Sequence, residues 1–172
     1  VNQLTCSWNW AFNFLVTLPC HALIDTGAQD GVVGLWHFQR WMVCLMHCFS
    51  LRPVFQELPE QCSAGGIGGA AKVIGIADVP TGIATLPGLT RWVILEDASE
   101  DSKTPPLVPI KLLKVFDAKI EPARKQMTIR MGPRPVIAKL EDCESNDVNK
   151  TEHQTTSMMS FDDKGWFMPD PD

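Results

Sequence analysis

The sequence has few charged residues and no excess of basic ones. Charged residues make up 20% of the 172 positions, and the formal net charge at pH 7 is -5. A protein that binds nucleic acid needs a basic surface for the phosphates, so this balance argues against a nucleic-acid partner. The apolar run from Trp8 to Leu18 is too short to cross a bilayer, and we therefore expect no membrane partner.

The cysteines do not have the spacing of a disulfide framework. They are Cys6, Cys20, Cys44, Cys48, Cys62 and Cys143. In a chain of this size such cysteines are typical of reduced, buried thiols in an intracellular protein. No basic region precedes the first apolar run, so we expect no secretory signal. These features predict a cytoplasmic protein, and the initial Val1 suggests a fragment or a processed piece of a longer chain.

A metal site is also poorly supported. Cys44, His47, Cys48 and Cys62 could be drawn as zinc ligands. Structural zinc sites, however, usually combine two paired clusters at tight spacing, and the second pair is incomplete here. We expect neither a metal nor a cofactor.

Turn-forming residues, by contrast, are frequent, with 12 Gly and 13 Pro beside 45% hydrophobic residues. This composition predicts one all-β domain with many turns and short strands. Two segments are exceptions. Leu35–Phe49 has no Gly or Pro and predicts a helix that is apolar nearly all the way round, which must be buried, pack on a partner or touch a membrane. Ile110–Phe116 predicts a second, short helix.

The two ends of the chain differ from the middle. An N-terminal extension, residues 1–19, alternates aromatic with small or polar residues and predicts a strand. In the middle, Pro80–Gly82 and Pro87–Gly88 predict hairpin turns. From Glu141 the sequence is acidic and polar, so we expect a disordered or loosely docked tail over 141–172.

One short motif carries candidate chemistry. The strand predicted for Cys20–Ile24 delivers Asp25 to a turn made by Thr26 and Gly27. Gly27 lets a backbone amide approach the carboxylate, and Thr26 can hydrogen-bond locally. Asp-Thr-Gly is also an ordinary turn after a strand, so the motif does not decide alone.

Hydrolysis of a peptide bond by carboxylates needs two of them close together. Such a pair shares one proton, so one carboxylate activates water while the other protonates the carbonyl oxygen. The chain has one Asp-Thr-Gly. A second copy would have to come from a twofold partner.

A glycine cluster follows about forty residues later. Gly66-x-Gly68-x-x-Ala71 matches the dinucleotide fingerprint, but a polar loop precedes it and β-branched residues follow it, where a strand and a helix are needed. The cluster instead favours a flexible hairpin tip whose free backbone amides bind an extended ligand. A hairpin without function remains the alternative.

In this order the segments resemble the retropepsins, the aspartic proteases of retroviruses and retrotransposons. Ala22–Ala28 resembles the catalytic strand and loop, Gly65–Gly69 the glycine-rich flap, and Val108–Glu121 the final helix and strand. The resemblance implies a closed, β-barrel-like domain over residues 20–140 with one or two short helices. It departs from the family at Val108-Pro109-Ile110, where a Gly usually stands in the position of Ile110.

The resemblance also implies roles for individual residues. Asp25, Thr26 and Gly27 would form the catalytic loop of each subunit in a homodimer, with Thr26 joining the two loops. The substrate, an extended peptide or polyprotein, would contact Ala28 and the flap residues Gly66, Ile67, Gly68 and Gly69. The leading hypothesis is an aspartic endopeptidase. The alternative is a decayed protease-like module that binds peptide, dimerises, or forms a structural part of a retroelement polyprotein.

Overall fold

The computed structural model describes residues 4–5, 15–16, 20–58, 63–66, 69–97, 103–145 and 153–161. Its helices are α1 (Leu35–Phe49) and α2 (Ile110–Val115), with a 3-10 turn at Pro122–Arg124. Its first strands are β1 (Leu4–Thr5), β2 (Leu15–Val16), β3 (His21–Ile24), β4 (Val32–Gly34), β5 (Val54–Gln56), β6 (Ser63–Gly66), β7 (Gly69–Ile83) and β8 (Leu86–Leu95). Then follow β9 (Leu107–Val108), β10 (Lys119–Glu121), β11 (Gln126–Ile129), β12 (Val136–Lys139), β13 (Glu141–Asp142), β14 (Glu144–Ser145) and β15 (Gln154–Ser157).

One mixed sheet dominates the described part of the chain. Its strands run in the order β1-β6-β7-β8-β4-β9-β3-β15-β13, and β5 pairs with β7 beside this path. Strands β10, β11 and β12 form a separate antiparallel sheet. The all-β prediction with short helices is confirmed. The closed barrel is corrected, because the described pairings leave β1 and β13 at two open ends of the path.

The centre of this sheet is built from short apolar strands. β3 lies between β9, parallel to it, and β15, antiparallel to it. Leu23 of β3 and Leu107 of β9 are partners in the ladder, and both are fully buried. Strands covered on both faces favour such continuous apolar runs. This packing fixes the end of β3, where Asp25 follows.

Helix α1 has the bounds that its sequence predicts. It buries one face, through Phe38, Trp41 and Leu45, at the spacing of successive helical turns. Trp41 meets Trp92 of β8 edge-to-face, with ring centroids 5.3 Å apart. The opposite face is open, and Val43 is 56% exposed. The helix is therefore buried on one side rather than all round.

The long hairpin β7–β8 corrects the predicted turns. Pro80–Gly82 lies inside β7 and Pro87–Gly88 inside β8, while the turn falls at Ala84–Thr85. Both turn residues have positive φ, 50° and 66°, the backbone of a type I′ turn that favours hairpins and usually selects Asn or Gly. Ala84 and Thr85 are not typical of such a turn, so the sequence did not predict it. Pro and Gly within β7 and β8 led to the wrong prediction of two turns.

The C-terminal segment corrects the predicted tail. Residues 141–145 contain β13 and β14, and β15 pairs with β3, aligning Thr156 with Ala22. Thr155, Thr156 and Met158 are buried. Threonine is polar in composition but β-branched, so it fits a strand well. The predicted disorder therefore fails for 141–145 and 153–161. The predicted N-terminal strand over Trp8 to Phe14 lies outside the described residues.

No helix among the described residues is long and apolar enough to cross a membrane.

Candidate active site

Asp25 lies at the end of β3, where the chain leaves the sheet. Its backbone N–H donates to the carbonyl of Val108 at 3.1 Å, which continues the ladder with β9 by one residue. The carbonyl of Asp25 then accepts the N–H of Ala28 at 3.3 Å, closing a tight turn through Thr26 and Gly27. The sheet thus delivers the carboxylate to a loop of defined shape.

The two oxygens of the Asp25 carboxylate have different environments. Oδ1 accepts a hydrogen bond from the N–H of Gly27 at 2.9 Å. Oδ2 is buried and has no hydrogen-bond partner in the described structure. A buried carboxylate oxygen without a donor costs free energy, and such atoms in native folds call for an explanation. The loop therefore orients one oxygen of the carboxylate, and the other is buried without a donor among the described residues.

The first residues of α2 contact the loop that carries Asp25. The N–H of Ile110 donates to the carbonyl of Ala28 at 2.8 Å. Lys111 pairs with Asp30 at 2.6 Å, and both side chains reach solvent, so the ion pair adds little stability. Ile110, which stands where the resemblance leads us to expect Gly, packs its half-buried side chain against the main core. The departure from the family pattern leaves the backbone contacts of the loop intact.

A cleft of about 540 Å³ opens beside Thr26. Its lining combines Ile24 and Thr26 with residues from the second sheet and from the C-terminal segment: Ile120, Pro122, Ala123, Lys125, Asp142, His153 and Gln154. Thr26 itself is exposed. The loop Asp25–Ala28 is therefore open to solvent on the side of Thr26.

His153 is a neighbour of Asp25 that the sequence did not reveal. Burial lowers the pKa of His153 below its ordinary value, and the negative charge of Asp25 partly offsets this effect. His153 comes from the segment predicted as a tail, 128 positions beyond Asp25 in the numbering of the chain. The pairing of β15 with β3 brings the two residues together, and no local sequence pattern signals it.

The glycine cluster forms the hairpin between β6 and β7. Gly66 and Gly69 are partners at the last described rung of this hairpin, and Ile67 and Gly68 lie outside the described residues. In the sheet, β7 is separated from β3 by β8, β4 and β9. The hairpin prediction agrees with the pairing, while its role in substrate binding, like the catalytic role of Asp25, Thr26 and Gly27, stays a prediction.

The described residues contain no group of three His, Cys, Asp or Glu side chains placed to hold a metal ion.

No protein-family model matches the chain, and no curated protein matches it. Among solved structures, the chain is similar to the crystal structure of the retroviral protease-like domain of Ddi1 from Leishmania major. The two share 19% sequence identity with a TM-score of 0.43, and the match covers 67% of this chain and 80% of that chain. A likeness of this size carries no argument about function.

Proposed function

We propose that the chain is one subunit of a homodimeric aspartic endopeptidase of the retropepsin type, which cleaves extended peptides or polyproteins. The observation that carries the proposal is the asymmetric carboxylate of Asp25. The N–H of Gly27 holds Oδ1 at 2.9 Å, and Oδ2 is buried with no hydrogen-bond partner among the residues that the structure describes. A second carboxylate or a water molecule would satisfy Oδ2, which is the arrangement that acid–base hydrolysis needs.

The proposed chemistry uses two Asp25 side chains, one from each subunit. Two carboxylates within hydrogen-bond reach cannot both ionise, so the pair shares one proton. The ionised Asp25 removes a proton from water, and the water oxygen attacks the peptide carbonyl. The protonated Asp25 gives its proton to the carbonyl oxygen. Proton transfer to the amine then releases the two peptide products.

The dimer follows from the same geometry. Each described chain supplies one Asp-Thr-Gly loop, and Thr26 in this loop is exposed. A twofold axis beside Thr26 would place identical loops face to face, because such an interface uses the same surface of both subunits. The hairpin formed by β6 and β7 would bind the peptide backbone through backbone hydrogen bonds.

The test is cleavage of a peptide library by the purified chain and by Asp25→Asn. We expect the variant to lose about three orders of magnitude or more in kcat, since the isosteric amide cannot act as a base. Asp30→Asn is the matched control, because Asp30 lies in the same loop but pairs with Lys111 on the surface. Cleavage that survives Asp25→Asn would overturn the mechanism.

A mixing experiment tests the dimer separately. When equal amounts of wild-type and Asp25→Asn chains exchange subunits, about a quarter of the dimers carry two intact loops. The activity of the wild-type chains should then fall to about half of its value without the variant. Unchanged activity would show that a single chain suffices. Peptide binding without turnover by the wild type would instead favour the non-catalytic, peptide-binding module.

A further inference from the structure

The register between β15 and β3 places His153 opposite Asp25. The antiparallel ladder aligns Thr155 with Leu23. Asp25 is two positions beyond Leu23, and His153 is two positions before Thr155, so the same register puts them in one pair. Residues opposite each other in such a ladder have their Cβ atoms about 4.5–5.5 Å apart, close enough for their side chains to interact.

Both residues are still bonded to the sheet at this point. The backbone N–H of Asp25 donates to the carbonyl of Val108 in β9 at 3.1 Å. The carbonyl of His153 accepts the N–H of Cys143, the residue after β13, at 2.9 Å. Each residue is thus held by the strand on its outer side, and the register of β3 and β15 extends to this pair.

The two side chains project from the same face of the sheet. Side chains alternate along a strand, so Asp25 shares its face with Leu23, and His153 shares its face with Thr155. Cys143, whose N–H bonds to His153, packs against the cluster that contains Leu23. The negative charge of Asp25 acts on the imidazole of His153, in agreement with this placement.

We propose that His153 is a positioning residue of the active site, whose imidazole takes up a proton in mild acid and then holds the Asp25 carboxylate in its ionised form. The catalytic part of this inference rests on the proposed endopeptidase. A second proton on the pair of Asp25 side chains would remove the base that activates water. A positive charge opposite Asp25 counteracts this second protonation, because an opposite charge nearby favours the charged form of a carboxylate.

The surroundings of His153 favour a neutral imidazole at neutral pH and a charged one in acid. Burial lowers the pKa of His153 below its ordinary value of 6.5, and the charge of Asp25 partly offsets this effect. The cleft beside Thr26 reaches His153, so the imidazole exchanges protons with solvent. On the other side, burial raises the pKa of Cys143 to about 11, which keeps that thiol neutral.

The cleft and β13 bring three further charged side chains to this region. Lys125 and Asp142 line the cleft and form an ion pair at 2.8 Å, so their charges largely offset each other. Glu141 belongs to β13, and its charge acts on His21. Among the described residues, Asp25 is therefore the charge that acts on the imidazole of His153.

The first test follows the titration of the four histidines by NMR in the full chain and in Asp25→Asn. The His153 signal is identified by sequential assignment and by its loss in His153→Gln. We expect His153 to titrate at a lower pH in Asp25→Asn than in the wild type, since the amide carries no charge, while His21 keeps its titration. An unchanged titration of His153 would overturn the proposal. The measurement needs no turnover, so it separates a failure of this inference from a failure of the proposed endopeptidase.

The pH profile of kcat/KM tests the role in catalysis. In His153→Gln the acidic limb should move to higher pH, so that activity in mild acid, relative to the maximum, falls about threefold or more. His21→Gln is the matched control, because His21 is half-buried on the same face of the same ladder, opposite Ser157. It should keep the wild-type profile. An equal loss at every pH in His153→Gln would show a purely structural role and contradict the proposal.

Discussion

The backbone N–H of Ile110 donates a 2.8 Å hydrogen bond to the carbonyl oxygen of Ala28. This bond joins the first residue of α2 to the loop that carries Asp25. Any residue except proline can make it, because the donor belongs to the backbone. The family resemblance leads us to expect glycine at this position, and the structure gives no reason why glycine is required there.

Ile110→Gly should therefore destabilise the chain, although it introduces the residue that the family resemblance leads us to expect. The substitution removes a half-buried side chain that packs against the core and places a poor helix former in the first turn of α2. We expect the free energy of unfolding to fall by about 1–3 kcal/mol, measured by urea denaturation. Ile110→Val, the control, should cost about 1 kcal/mol. A glycine variant that is more stable than the wild type would show that Ile110 strains the loop.

The second prediction concerns the start of α1, which is capped from a distant part of the chain. Oδ2 of Asp97 accepts the N–H of Trp36 at 2.9 Å, and Oδ1 accepts the N–H of Thr104 at 3.3 Å. Gly34 precedes the helix, and a Cβ there would collide with Asp97. Glycine at this position therefore makes room for a capping carboxylate that the local sequence does not supply.

Asp97→Ala removes this cap and leaves two part-buried N–H groups without their acceptor. We expect a loss of about 1–2 kcal/mol in the free energy of unfolding. Asp97→Asn should recover part of it, since an amide oxygen also caps a helix. The matched control is Glu96→Ala. Glu96 is exposed, and its hydrogen bond to the carbonyl of Lys72 comes from the backbone N–H, which the substitution leaves in place. Equal effects at 96 and 97 would contradict the capping role.

Helix α1 and the turn after β3 show which parts of the structure can be predicted from the sequence. The bounds of α1 follow from a stretch without Gly or Pro, and the turn after β3 follows from Asp25, Thr26 and Gly27, so both are local signals. The cap from Asp97 is not predictable in this way, since 61 positions separate it from Trp36. Helix ends accept any suitable oxygen in reach, whatever its distance along the chain.

The candidate site likewise has one part that the local sequence predicts and another part that it does not. The loop from Asp25 to Ala28 could be predicted because a strand, a carboxylate and a glycine stand in direct succession. His153 could not, because it depends on β15 pairing with β3 across most of the chain. The polar threonines of β15 gave the composition of a tail, although they pack as a strand. The position of His153 beside Asp25 therefore depends on strand pairing between distant parts of the chain, which local composition does not predict.

The third prediction is a loss of stability on mild acidification, with His37 as its main source. Burial, then the charges of Lys103 and Arg40, lower the pKa of His37 to about 4. Between the ordinary value of about 6.5 and this value, the unfolded chain binds a proton that the folded chain rejects. The contribution of neutral His37 to the free energy of unfolding is therefore complete above pH 6.5. It decreases as the pH falls towards 4, by at most about 3 kcal/mol.

The free energy of unfolding, measured by urea denaturation at several pH values in this range, tests the assignment. His37→Gln should flatten the dependence on pH, although a smaller slope should remain because burial also lowers the pKa of His21 and of His153. His47→Gln is the control, as His47 is exposed in the last turn of the same helix. A His37→Gln variant with the full wild-type slope would assign the effect to other groups.

The last prediction tests whether the C-terminal segment belongs to the folded domain. Met158 is fully buried. Its N–H donates to the carbonyl of Cys20 at 3.0 Å, and its carbonyl accepts the N–H of Gly82 at 2.7 Å. It therefore connects the beginning of β3 to the long β7–β8 hairpin. Met158→Ala should lower the free energy of unfolding by about 2–5 kcal/mol, because the truncation leaves a cavity in the main core.

Met159→Ala is the matched control for this prediction. Met159 is the next residue along the chain and is half-buried, so the same truncation removes fewer core contacts and should cost clearly less. Urea unfolding followed by tryptophan fluorescence compares the two variants directly. If Met158→Ala were as stable as the wild type, the segment would be the removable tail that its composition predicts. The expected difference would instead place residues 153–161 within the unit that holds Asp25, because β15 pairs with β3, the strand directly before Asp25.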